Sequence, residues 1–312
     1  MTSAAAIVND ATSQPDPREA SISVRNYIYL LPHPIPVGVP VPYTLGLPDN
    51  NPLNLADHAF EPTNTLVLTS IKKTFVDIRI FRPIQPSDPE FPNTGGPLSR
   101  LDWAFSGTSS SVPIADPYST STGGSHGPDT NARTWSGPVK RASWTHWVDS
   151  RHPVGTPEAQ IPVDTGLMFP INAMQVLEHG AAPNPQTGVM QSHEEMWTDC
   201  VIQACAPQTT VFSIVLRIDV PEYKVRGVVV RLGQFCQGIV MQGGAVTVER
   251  WEFLAGEWKR TVRIGEGFLP CALAFKEEAC DLGGTVVYGQ HEWKVEEKVE
   301  WSDVTQHVEE DG

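Results

Sequence analysis

Proline sets the strongest constraint on this chain: 28 of its 312 residues, scattered through most of its length. Each one removes a backbone donor and breaks a helix interior, which excludes a helical bundle or coiled coil. Between the prolines lie short runs of β-branched and aromatic residues bounded by turn formers, which is strand chemistry. Residues 65–69 and 75–81 predict a hairpin across Ile71-Lys72-Lys73. Residues 212–220 and 225–232 predict another across Pro221-Glu222-Tyr223. In the first strand of that second hairpin, Ile214, Leu216 and Ile218 share one face, and Ser213, Arg217 and Asp219 the other. Residues 21–30 predict an opening strand and residues 294–311 a closing strand with a solvated end. The one helix candidate is the short segment 171–179.

Composition narrows the function classes. Hydrophobic residues make up 40% of the chain, with nine Trp and eleven Phe, which is enough to bury a substantial core and excludes full disorder. Lys+Arg 22 against Asp+Glu 36 gives a net charge of −14, a surface that repels phosphate backbones and anionic lipid, so neither nucleic acid nor membrane is an expected partner. The five cysteines form no CxxC pair, and their odd number argues against a complete disulfide framework. No basic leader with an apolar run opens the chain, and no stretch approaches the roughly 18 apolar residues of a membrane span. The expectation is a reduced, soluble, intracellular protein.

The segments also repeat. Thr65-Leu66-Val67-Leu68 echoes Ser213-Ile214-Val215-Leu216, and Asp102-Trp103-Ala104-Phe105 echoes Arg250-Trp251-Glu252-Phe253, both at an offset of about 148 residues. Trp144 and Trp293 continue the series one residue further apart. The organisation expected is a disordered arm (1–20), a first antiparallel β-barrel (21–152), a linker (153–164), a second barrel arising by duplication (165–302) and an acidic tail (303–312). Barrel closure removes exposed strand edges, and the Pro-rich segments serve as rims and crossover.

Motifs of chemistry are sparse. Gly123-Gly124-Ser125-His126-Gly127 matches G-x-S-x-G but lacks the flanking strand and helix of a nucleophile elbow, so it reads as a loop. In Trp144-Thr145-His146-Trp147-Val148-Asp149, a strand would turn Trp144, His146 and Val148 one way; His146 beside Trp is either a buried acid/base or a hydrogen-bonded barrel cap. His193, Glu195 and Asp199 share one strand face, which reads as a solvated acidic face, since no HExxH or paired Cys ligands accompany it. Arg231, on the Val229 face of residues 226–238, either holds a ligand in a lumen or pairs with a carboxylate such as Asp219. Cys236 nearby is either a reactive thiol or the commoner inert buried one. The candidate ligand-binding residues are Trp103, Trp144, His146, Arg231, Gln234 and Trp251; no catalytic residue, metal site or cofactor is assigned.

Taken in order, residues 63–70, 75–79, 101–108, 144–149, 194–197 and 225–234 resemble the fungal HRI family, over roughly residues 60 to 301. The resemblance implies two lipocalin-like β-barrels, a cytoplasmic and also nuclear location, and a casein-kinase-I-type protein kinase as partner, with no catalytic residues to carry over. The long Pro-rich N-terminal segment and the Ser/Gly/Thr-rich loop before Trp135 depart from it. Two functions follow as expectations: a non-catalytic barrel that binds a partner protein or a small apolar ligand, or a cofactor-independent isomerase, cyclase or dehydratase working in a barrel cavity.

Overall fold

The computed structural model describes residues 16–39, 41–44, 61–85, 87–117, 135–184 and 187–302. The first fifteen residues of the expected arm, the Gly123–Gly127 motif and the acidic tail lie outside them. The fold is all-β, as the prolines and strand chemistry predict, and the helix among the described residues is confined to short 3-10 turns.

One sheet is formed by β1 (Ser21–Leu31), β2 (Thr63–Thr69), β3 (Thr74–Phe81), β5 (Leu101–Pro113), β6 (Lys140–Trp144), β8 (Asp164–Pro170), β9 (Gln175–Pro183) and β10 (Met190–Cys200), with the two-residue β7 (Val148–Asp149) added to β5. Every neighbour is antiparallel, and β3 pairs β5 while β1 pairs β10, so the eight main strands close into a barrel. The predicted hairpin is the β2–β3 pair; its turn places Lys73 at φ 70.

The second sheet takes β11 (Thr210–Val220), β12 (Val225–Leu232), β13 (Phe235–Gln242), β14 (Ala245–Leu254), β15 (Glu257–Ile264), β16 (Thr285–Tyr288) and β17 (His291–Ser302). Its order is β16-β17-β11-β12-β13-β14-β15, ending in a single parallel bridge from Ile264 to Gly96 in β4 (Gly95–Gly96). Among the described residues nothing joins its two ends. The architecture is therefore one closed barrel and an accompanying sheet.

Several expectations are revised by this pairing. Strands β8–β10 complete the barrel, so the sheets divide after Cys200 and the 153–164 segment is a loop within the first unit. Residues 171–179 run into strand β9, because Gln175–Pro183 is bonded on both sides, to β8 and β10. The echoed residues occupy different places: Trp103 lies on the strand after the β2–β3 hairpin, whereas Trp251 lies one strand further on, with β13 intervening after β11–β12. Trp144 sits beside β5, but Trp293 sits beside β16 and β11. The strand expected through residues 144–149 breaks after Trp144, where the carbonyl of Thr145 crowds Gly107 so closely that no Cβ would fit there.

The two sheets pack face to face. Leu66, Leu68, Val76, Ile78 and Ile80 of the barrel meet Val228, Val230, Ile239 and Val248 in a core from which water is excluded. The opposite face of the second sheet is covered by the segment carrying Leu269, Cys271, Ala274 and Cys280. Polar side chains pin the sheets together inside this apolar layer. Gln237 donates through Nε2 to the carbonyls of Leu66 (2.9 Å) and Val76 (3.2 Å), and its own oxygen accepts from Arg250 Nε (2.7 Å). Arg250 reaches on to Asn64 Oδ1 (2.6 Å) and the carbonyl of Ile78 (3.2 Å). Glu297 of β17 accepts from Ser70 Oγ, Ser213 Oγ and the backbone N–H groups of Ile71 and Lys72, holding the β2–β3 turn against the second sheet.

Both oxygens of Glu297 face donors, so Glu297→Gln presents an NH2 to a donor and strands it. The expected loss is about 2 kcal/mol in urea denaturation, with the far-UV spectrum of the folded protein unchanged.

Candidate functional site: the barrel lumen

Strand alternation sends one residue in two inward. On β3 these are Phe75, Asp77 and Arg79; on β1, Ser23 and Arg25; on β5, Trp103 and Phe105; on β9, Val176 and Glu178; on β10, His193, Glu195, Trp197 and Asp199. They line a cavity of about 1310 Å³ that is partly open to solvent. The face of His193, Glu195 and Asp199 is thus turned into the barrel and not, as expected, into water; Glu195 is 4% exposed.

Buried charges require partners. Arg25 spends all three nitrogens: Nε and Nη2 on Glu61 (2.8 and 3.0 Å), Nη2 also on Thr63, and Nη1 on Glu195 (3.1 Å). Arg79 donates Nε and Nη2 to the same oxygen, Oδ2, of Asp77 (3.1 and 2.8 Å). Its guanidinium lies 5.0 Å from the Trp103 ring centre and 5.5 Å from that of Phe105. Glu178 accepts from Trp197 Nε1 (3.0 Å) and folds over Gly166, where a Cβ would collide with it; His193 likewise occupies the space left by Gly180.

The carboxyls divide by environment. Burial, reinforced by the negative charge of Glu195, raises Glu178 so that it keeps its proton. Burial also opposes ionisation of Glu195, but Arg25 and Arg79 outweigh it and hold Glu195 low. Burial raises Asp77 against the pull of Arg79, and burial lowers His193.

The candidates from the sequence are placed apart. Trp103 and Trp144 line the cavity. His146 stands behind that wall, with ring centres 4.4 Å from Phe105 and 5.3 Å from Trp103. Its Nδ1 donates to Asp149 Oδ2 (2.9 Å), its Nε2 lies 3.4 Å from Asp164, and Asp149 also accepts from Trp103 Nε1 (2.7 Å). Arg231, Gln234 and Trp251 belong to the second sheet. Arg231 bonds the carbonyl of Ala274 and Glu277, each at 2.8 Å, and not Asp219, which pairs with Arg226. Gln234 bridges the backbone of Val201 and Gln203, and Trp251 donates to Glu249 and packs on Phe275. Cys236 is fully buried against Cys271.

The lumen charges that sequence reading missed are Arg25, Asp77, Arg79 and Glu178. Their signal was present in residues 75–79, where Asp77 and Arg79 interrupt an apolar strand on the same face as Phe75. Among the described residues no cluster of His, Cys, Asp and Glu has the makings of a metal site, and no helix is long and apolar enough to cross a membrane.

A closed eight-stranded antiparallel barrel with a hollow, charged lumen, backed by a second sheet, defines the class of protein. The chain belongs to the family described as Protein HRI1, whose profile matches residues 51–297, as the sequence resemblance indicated. The crystal structure of the uncharacterized protein YLR301w from Saccharomyces cerevisiae shares the fold at 17% identity, with a TM-score of 0.57 over 90% of this chain and 99% of that one. No curated protein matches.

His146 links the lumen wall to pH. Burial opposes its charging, but Asp149 and Asp164 overcome this and raise its pKa from 6.5 to about 9. A raised folded-state pKa contributes stability that is complete below the unfolded value of 6.5 and disappears as pH rises through about 9. Chemical denaturation of wild type and His146→Gln should differ by about 2–3 kcal/mol near pH 6, and the gap should close by pH 10.

Proposed function

We propose that the barrel holds a small, largely apolar molecule in its lumen. The observation that supports this reading is the cavity of about 1310 Å³. Ligand sites are typically several hundred Å³, with apolar walls and a few fixed polar groups. Trp103, Trp144, Phe75, Met168 and Val67 supply such walls here, and Arg79 with Glu178 supplies polarity at fixed points. Barrels of eight strands are wide enough either to be filled by their own side chains or to hold one ligand. The side chains of the described residues leave this lumen open.

A second reading, turnover of the bound molecule by acid–base chemistry, is favoured by Glu178, a carboxylic acid that keeps its proton in the lumen. It requires the same occupancy and adds one step to it.

The test is native mass spectrometry of protein purified from its own cells, beside Val67→Trp, which places a large ring in the cavity without disturbing the core between the sheets. A retained small molecule in the wild type, lost in a folded Val67→Trp protein, is the expected result. A retained molecule indifferent to Val67→Trp, or a bare chain that takes up nothing from cell extract, overturns the reading.

A further inference from the structure

We infer that the occupant of the lumen is a neutral, mainly apolar molecule bearing a carbonyl-type acceptor, which receives a hydrogen bond from Arg79 Nη1 while the apolar body rests on Trp103, Trp144 and Met168. This inference depends on the container reading above and gives it a chemistry.

Two features lead to it. The first is an unused donor. Arg25 has a partner for each of its nitrogens, whereas Arg79 commits two nitrogens to a single oxygen of Asp77, and its Nη1 donates to no acceptor among the described residues. The Arg79 side chain is 13% exposed, and what it is exposed to is the cavity. Its position is fixed in advance by the Asp77 pair and by the Trp103 and Phe105 rings, so a ligand acceptor meets a donor already oriented.

The second is charge. Arg79 is already compensated by Asp77, with Glu195 and Asp164 also acting on it. A carboxylate or phosphate brought to Nη1 would add negative charge beside Asp77, Glu195 and Asp164, which is repulsive. A carbonyl oxygen accepts the same hydrogen bond without that cost. Glu178, which keeps its proton, lines the same cavity and adds no charge to it.

The experiment uses three probes of one shape, 2-acetylnaphthalene, 2-ethylnaphthalene and 2-naphthoate, titrated into the full chain and followed by quenching of tryptophan fluorescence. The ketone should bind about tenfold more tightly than the hydrocarbon, the increment of one well-placed hydrogen bond, and more tightly than the carboxylate. In Arg79→Met/Asp77→Leu, which removes both charges together and orphans neither, the ketone advantage should fall to about twofold or less, with hydrocarbon affinity unchanged. If circular dichroism shows that this variant fails to fold, Arg79→Lys, which keeps the charge and loses Nη1, carries the same expectation. Equal binding of ketone and hydrocarbon, or tightest binding of the carboxylate, overturns the inference and leaves the container reading standing. Failure of all three probes to bind overturns both.

Discussion

Strand β3 alternates Phe75, Asp77 and Arg79 toward the lumen with Val76, Ile78 and Ile80 toward the second sheet, and the rest of the molecule is arranged around that double burial. A barrel wall normally has one face in water. Here the outer face of β2 and β3 is apolar and must be covered, which is the task of β12, β13 and β14. Covering it leaves carbonyls of Leu66, Val76 and Ile78 beside an apolar layer, and Gln237 and Arg250 reach across to hydrogen-bond them. The cost of burying Arg250 shows in its pKa, which burial lowers to about 10. Separating the two sheets would expose the apolar faces of both and break the hydrogen bonds of Gln237 and Arg250.

Inside the barrel the same strand meets the opposite problem. Charged side chains are buried here, and each is matched with a partner: Arg25 with Glu61 and Glu195, Arg79 with Asp77, His146 with Asp149 and Asp164. Glu178, which has only the indole N–H of Trp197 and no cation bonded to it, resolves its position by holding a proton. The lumen is thus charged, with its buried arginines held in ion pairs.

Much of the fold was legible in the sequence because it rests on local periodicity. The two hairpins, the opening strand and the closing strand follow from alternation and turn residues over a few positions. What was not legible depends on pairing between distant segments. Nothing local tells residues 164–200 to join the first sheet, and the repeated Trp-x-Phe segments looked equivalent although β13 separates one of them from its hairpin. The candidate site was half legible. Trp103 and Trp144 were picked as aromatic wall residues. The acidic strand around Glu195 was read outward, because a polar strand face carries the same pattern in a lumen as in water. Arg231 reads in the sequence as a lumen donor or a partner of a carboxylate such as Asp219, yet its partner Glu277 comes from a connecting segment no sequence pattern links to it.

The seam that closes the barrel joins β1 to β10, where Ser23 meets Asp199 across 176 residues of chain. During synthesis β1 emerges early and must wait, with one edge unpaired, until the last barrel strand has left the ribosome. Loop closure over such a span is slow, and an unpaired apolar edge is a site for wrong association in the meantime. The sheet that follows completes the wall only afterwards, so the nascent chain passes through a stage in which the outer face of β2 and β3 is bare.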